Sequence, residues 1–367
     1  MILQAFCLFL AFLHQDTSAS TSECDSSKQL VVAVLPDNEY YKNSFPDIEY
    51  FIEQMAQGTR GLDHFIVLYS EDWDNEFYEQ GYDSVYGEKR SIFGLPFGDN
   101  TLRIVSNYNL DLWARDFGLV VPAEQVKFTY LPEYLKPKDA EFSDAQFNGL
   151  LKNLGIKVTH SDIVLDGGNV VDNNWDKAII SERILEENKG KTKQELKIAL
   201  ENLLNMSIAF IADPDDTTGH SDGIVSFIED DVVLIGDYND PEYYTDVENS
   251  IKTAYPDVKI VRLGCKVATS SATSDKNWRG FSSAVGSYVN ILVTNNAAYV
   301  PQFGKPKCDK KALDLVKANT DKTVVPIDTS KLSHMGGSVR CMTYQVETCN
   351  PVAKRLLKEA RRMMNGD

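Results

Sequence analysis

The stretch His334-Met335-Gly336-Gly337-Ser338-Val339-Arg340-Cys341-Met342-Thr343-Tyr344-Gln345 sets a cysteine just after a pair of glycines and beside a short apolar run. Cys341 is the last of five polar positions that recur along the chain. The others are Asp116, Asp166, Asp222 and Asn290, and the steps between the five are 50, 56, 68 and 51 residues. Each stands on or beside a short apolar hairpin, so a fold built of repeats can bring all five to one centre. A thiol ringed by carboxylates, with His220 close by, suits chemistry on a cation.

Outward from these positions the chain alternates two kinds of segment. Short β-branched runs at 31–35, 64–69, 102–105, 118–121, 207–211, 259–263 and 323–327 predict strands. Longer units at 163–180, 223–236 and 288–301 read as hairpins, turning at Asp172-Asn173-Asn174, Glu229-Asp230-Asp231 and Asn295-Asn296. Apolar residues at helical spacing predict helices over 46–57, 193–204, 241–255, 310–318 and 351–364. The fold class is therefore α/β. No linker, low-complexity tract or change of composition divides residues 21–367, which read as one domain.

Residues 1–20 stand apart. Residues 2–13 are almost wholly apolar, and Thr17-Ser18-Ala19-Ser20 follows them. A run of that length is too short for a bilayer, which needs about 20 residues. It reads as a secretory signal peptide cleaved near Ser20, although it lacks the usual basic start. Export would place the cysteines in an oxidising compartment. Without Cys7 they are Cys24, Cys265, Cys308, Cys341 and Cys349, an odd number that leaves at least one thiol unpaired within the chain. Asn205-Met206-Ser207 is the one acceptable glycosylation sequon.

A formal charge of −17 makes nucleic acid and anionic membrane surfaces poor partners and favours a cationic one. The exception is the basic cluster Lys354, Arg355, Lys358, Arg361 and Arg362, read as the solvated face of the last helix. Several chemistries are excluded by missing motifs. The chain has no glycine-rich phosphate loop, no His-Glu-x-x-His pair and no Cys-x-x-Cys pair, so nucleotide and zinc readings find no support. Asp213-Pro214-Asp215-Asp216 does not have the ligand spacing of a calcium loop.

Three further segments carry polar groups suited to a site. Thr217-Thr218-Gly219-His220-Ser221-Asp222-Gly223 holds a histidine and a carboxylate at i and i+2, which face one side if the backbone is extended. Trp113-Ala114-Arg115-Asp116-Phe117-Gly118 sets a carboxylate beside an aromatic, and Asp166-Gly167-Gly168-Asn169 sets another at a tight turn. Each alone could be an ordinary turn or a buried ion pair. Their joint occurrence ahead of a glycine-flanked cysteine favours a functional site.

Together these residues resemble the agmatine deiminase and bacterial-type peptidylarginine deiminase family of guanidine-modifying enzymes. Trp113 to Gly118 is similar to that family's Trp-x-Arg-Asp-x-Gly, Asp166 to Asn169 to its acidic-Gly-Gly-Asn turn, Gly219 to Asp222 to its Gly-His-x-Asp, and Gly336 to Cys341 to its Gly-Gly-x-x-x-Cys. Ser287-Tyr288-Val289-Asn290 and the later Val300-Pro301-Gln302-Phe303-Gly304 are similar too. The resemblance implies the pentein fold, five ββαβ modules with pseudo-five-fold symmetry around a central pocket. It also implies hydrolysis of a guanidinium, on agmatine or a peptidyl arginine, to a ureido group and ammonia through a covalent cysteine thiouronium. Cys341 would attack, His220 would move protons, and Asp116 and Asp222 would hold the guanidinium nitrogens. Trp113, Asp166, Asn169 and Asn290 would complete the binding site, Trp113 by packing on the guanidinium plane or by filling core. No cofactor or metal is implied. Cys341 should stay reduced, with any disulfides drawn from Cys24, Cys265, Cys308 and Cys349.

Arg340 departs from the family, where agmatine deiminases often carry histidine before the cysteine; on a strand it would point away from Cys341. Lys136 and Lys138, read as loop residues, could bind a substrate carboxylate. An amidinotransferase using the same intermediate, or a secreted guanidinium-binding protein without turnover, would need the same pocket. Release of ammonia separates these readings.

Overall fold

The computed structural model describes residues 24–70, 101–214, 216–237, 240–266, 278 and 282–364, and the expected signal segment lies outside them. The chain opens with β1 (Gln29–Leu35), α1 (Phe45–Gly58), β2 (His64–Ser70) and β3 (Thr101–Ser106). A one-turn helix α2 (Ala114–Phe117) leads to β4 (Val126–Thr129), α3 (Pro137–Asn153) and β5 (Thr159–Val164). Next come β6 (Val171–Asp172), β7 (Lys177–Ser181), the short α4 (Arg183–Glu187), α5 (Lys193–Leu204) and β8 (Ser207–Ile211). They are followed by β9 (Val225–Glu229), β10 (Val232–Asp237), α6 (Pro241–Ala254) and β11 (Lys259–Lys266). β12 (Leu292–Val293), β13 (Ala297–Gln302), α7 (Pro306–Lys317) and β14 (Thr323–Asp328) precede β15 (Thr343–Glu347) and α8 (Pro351–Met364).

Among the described residues the strands form five sheets, and one unit recurs in them. A strand meets an antiparallel partner, a helix crosses over, and the next strand runs parallel to that partner. β6, β7 and β8 are paired this way, as are β9, β10 and β11, and β12, β13 and β14. β4 and β5 flank α3 in a shortened copy whose first strand is a single antiparallel bridge between Val120 and Val126. The strand predicted at 118–121 therefore does not form, because Val121 turns to φ 57° and ends the extended run. The remaining unit is split between the two ends of the chain. β15 pairs antiparallel with β1, Gln29 opposite Glu347, while β2 runs parallel to β1. The Cys24–Cys349 disulfide fastens this closure, Cys265–Cys308 ties β11 to α7, and among the described residues Cys341 is the free thiol, buried, as expected.

The apolar runs are continuous because most strands feed two cores at once. Along β1, Val31, Ala33 and Leu35 join a cluster with Tyr299 and Ile327, while Leu30, Val32 and Val34 join another with Phe147 and Val346. In β7, Ala178 and Ile180 face the core of β4 and β5, whereas Ile179 faces that of β9 and β10. In β10, Leu234 packs with Ala298 and Val300 and Val233 with Val225 and Phe227. Burying one such side chain contributes about 1.5–3 kcal/mol, so each strand welds two neighbouring units.

The helices follow from local signals. α5 occupies the predicted span and starts at a capping box in which Thr192 and Glu195 satisfy each other's amides. Asp240 caps α6, and Pro351 begins α8. α3 was not legible, since its buried residues are only Ala140, Phe147, Leu150 and Leu151, leaving its first turns without an apolar stripe. It takes in Lys138, which is therefore not the loop residue expected, while Lys136 stays in the preceding loop as the extended N-cap.

The five recurring positions share one place in this architecture. Asp116 lies on α2 ahead of the Val120 bridge, Asp166 ahead of β6, Asp222 ahead of β9, Asn290 ahead of β12 and Cys341 ahead of β15. Each thus occupies the segment by which the chain enters a unit's first strand.

Candidate active site

Cys341 lies in a turn rather than the expected strand, with the Met342 amide donating to the Ser338 carbonyl (3.2 Å) and the Thr343 amide to the Arg340 carbonyl (3.1 Å). Asn290 shapes that turn. Its Oδ1 accepts from Ser338 Oγ (2.9 Å), Arg340 N (3.0 Å) and Cys341 N (3.3 Å), and its Nδ2 stands 3.2 Å from Cys341 Sγ. Asp222 Oδ2 is 3.9 Å from the same sulfur. The backbone at Ser221–Gly223 is a 3-10 turn, not extended, yet His220 and Asp222 still face one cavity.

That cavity has a volume of about 730 Å³ and is lined by Cys341, Asp116, His220, Asp222, Asn290 and Trp113, among others. Trp113 also packs against the neighbouring core. Two motif glycines keep the floor open. A Cβ on Gly337 would lie 2.8 Å from Cys341 Cβ, and one on Gly168 would lie 2.8 Å from Asp116 Oδ1 and collide with the His220 ring.

His220 is held from two sides, with Nε2 2.9 Å from Asp166 Oδ2 and Nδ1 3.7 Å from Asp116 Oδ1. Burial alone would lower its pKa, but Asp116, Asp166 and Asp222 outweigh burial and raise it to about 10. Burial lifts the Asp116 carboxyl to about 8, with His220 opposing and Asp166 adding. Asp116 Oδ1 is buried and accepts no hydrogen bond from any described residue. Burial also pushes the Cys341 thiol well up, helped by Asp222 and Asp116. A cation in this cavity would favour the ionised forms of Asp116 and Cys341.

Asp166 and Asn169, expected at the substrate, stand behind the cavity wall. Asp166 accepts from the Tyr134 hydroxyl (2.7 Å) as well as meeting His220. Asn169 Oδ1 accepts from Ser181 N (2.8 Å) and Ser221 N (3.2 Å), pinning the turn that carries Asp222. Lys136 lines the mouth of the cavity, whereas Lys138 does not. Sequence reading missed Tyr134, which packs edge-on to His220 at 6.0 Å, because no motif surrounds it. The strand that would have turned Arg340 away is replaced by the turn. Nη1 donates to Asp222 Oδ2 (3.1 Å) and Nη2 to the Val170 carbonyl (2.6 Å), so the side chain turns towards the site. Beside it, Arg115 donates to Gln345 Oε1 (2.6 Å), and burial followed by Arg340's charge lowers its pKa to about 9.

This arrangement has relatives. The solved structure of C. jejuni agmatine deiminase superposes with a TM-score of 0.68 at 17% identity, covering 88% of this chain and 95% of that one, which establishes a shared fold. An agmatine deiminase of Medicago truncatula is 26% identical over 293 residues, 66% of this chain and 78% of its own length. A Marinomonas sp. protein provisionally named agmatine deiminase is 27% identical over 223 residues, 53% of this chain, and the match spans only 60% of its length. The family model for the Porphyromonas-type peptidyl-arginine deiminase matches residues 22–346 and so takes in the cavity from Asp116 to Cys341. The chain belongs to the Porphyromonas-type peptidyl-arginine deiminase family.

Proposed function

We propose that the protein is a hydrolytic deiminase that converts the guanidinium of an arginine-like substrate to a ureido group and ammonia. The observation that carries this reading is a free thiol, Cys341, sharing one cavity with a buried Asp116 oxygen that accepts no hydrogen bond from a described residue. A guanidinium fits that oxygen and Asp222 with its nitrogens, because planar cations pair with carboxylates along two directions. Its charge offsets the carboxylates that oppose ionisation of Cys341, so the thiolate forms as substrate binds.

The thiolate adds to the central carbon, and the His220 imidazolium gives a proton to one amino nitrogen, which departs as ammonia. The neutral His220 then takes a proton from the water that adds to the thiouronium carbon. The C–S bond breaks as the ureido carbonyl forms, returning Cys341. Asp166 and Tyr134 orient the imidazole throughout.

The substrate is an arginine carrying more atoms than agmatine does. A cavity of about 730 Å³ is in the range that holds drug-sized ligands, and Lys136 at its mouth offers a cation to a carboxylate that agmatine lacks. We also propose export, supported by the apolar residues 2–13 and by two disulfides that suit an oxidising compartment. Ammonia release from arginine peptides, followed beside intact-protein mass spectrometry, tests the reading. Wild-type protein should release ammonia, Cys341→Ala should show neither turnover nor adduct, and His220→Ala should retain the adduct. Turnover by Cys341→Ala at the wild-type rate would rule the covalent route out.

A further inference from the structure

We propose that Arg340 is a positioning residue that holds Asp222 in place and offsets part of its charge, making the ionisation of Cys341 beside two carboxylates less costly. The proposal rests on Cys341 being the reacting thiol. Asp222 Oδ2 is the point of contact: Arg340 Nη1 lies 3.1 Å from it on one side and Cys341 Sγ 3.9 Å from it on the other. The ion pair is enclosed, its side chains 6% and 2% exposed, so water does little to screen Asp222 from the sulfur. Without Arg340 the thiolate would form against two bare carboxylates in a low-dielectric pocket, and Asp222 would have lost the donor that aims it.

What singles out Arg340 among the charged groups near the sulfur is its direct bond to Asp222, the carboxylate beside Cys341 Sγ. Asp222 and Asp116 both oppose the thiolate. His220 is committed to Asp166 at 2.9 Å and Asp116 at 3.7 Å. Arg115 donates to Gln345 Oε1 and to the Arg340 carbonyl rather than to a carboxylate of the cavity, and its charge also acts on Asp222 and Cys341. Asp172 adds negative charge near both arginines. Arg340 is also fixed at its own far end, because Nη2 donates to the Val170 carbonyl at 2.6 Å and its backbone amide to Asn290 Oδ1 at 3.0 Å. A side chain anchored twice can neither swing into the cavity nor yield Asp222 to an incoming substrate. Substrate must share the carboxylate with it, which leaves Asp116, whose Oδ1 accepts no hydrogen bond from a described residue, as the stronger anchor.

The experiment reads the thiol directly and needs no turnover: the rate of iodoacetamide alkylation of Cys341, against pH, followed by intact mass. Arg340→Met should raise the apparent thiol pKa by about one unit, slowing alkylation near neutral pH about tenfold. Arg340→Lys, which keeps the charge, should recover most of that loss. Arg340→Met combined with Asp222→Asn removes both charges and should alkylate within about threefold of wild type; it also serves if the single substitution fails to fold. Superimposable profiles for wild type and Arg340→Met, a lysine variant no better than methionine, or a double variant as slow as the single would each overturn the proposal. Wild-type protein that alkylates readily but never releases ammonia from arginine peptides would instead count against the deiminase reading and leave the role of Arg340 standing.

Discussion

Replacing Gly168 by alanine tests whether the position of His220, rather than its mere presence, sets the rate. The added Cβ would stand 2.8 Å from Asp116 Oδ1 and nearer still to the imidazole Nδ1, where ordinary contact starts at 3.4 Å. The backbone on either side cannot give much. Asn169 is pinned to Ser181 N at 2.8 Å and Ser221 N at 3.2 Å, and the His220 ring is held to Asp166 at 2.9 Å. The ring must therefore retreat by about 1 Å, a misplacement that costs on the order of 100-fold in rate. Forcing one extra methyl into packed surroundings costs about 1–3 kcal/mol of stability, so the variant should fold. Thermal unfolding would confirm the fold, and initial rates of ammonia release from an arginine peptide would give kcat/KM. A folded Gly168→Ala protein within about threefold of wild type would refute the inference that this glycine keeps the proton-transfer geometry.

Tyr134→Phe removes a hydrogen bond that disperses the charge of Asp166, so His220 should keep its proton to higher pH. The alkaline limb of kcat/KM should move up by roughly half a unit to one unit, and a downward shift would sink this account. Both His220, raised from 6.5 to about 10, and Asp116, raised from 3.8 to about 8, bind protons more tightly folded than unfolded. The His220 contribution is complete below pH 6.5 and fades as pH climbs to about 10, while that of Asp116 fades between 3.8 and about 8. Tm should fall from pH 7 to 10 more steeply in wild type than in a His220→Gln, Asp116→Asn double variant, and equal slopes would contradict it. Cys24→Ser opens the cross-link between the two ends of the chain, with an expected loss of about 2–5 kcal/mol in denaturant unfolding but unchanged alkylation of Cys341. A destabilisation below about 0.5 kcal/mol would show that the β1 and β15 pairing holds the closure unaided.

The sequence alone determined the parts that depend on short-range pattern. The apolar runs that became β1, β2, β8, β11 and β14 mark themselves by composition, and α5 by its periodicity and capping residues. The five recurring polar positions were legible because each precedes a strand that has to be apolar. Tertiary structure decided the rest, since it depends on partners far apart in the chain. Arg340 reaches Asp222 across 118 residues because Asn290 bends the Ser338–Thr343 backbone into a turn, which alternation along a strand could not foretell. Asp166 and Asn169 stand behind His220 rather than lining the cavity because their carboxylate and amide have neighbours, Tyr134 and Ser221, that only the packed units supply. The cysteine pairing likewise follows from where ring closure brings the two termini, which residue spacing does not encode.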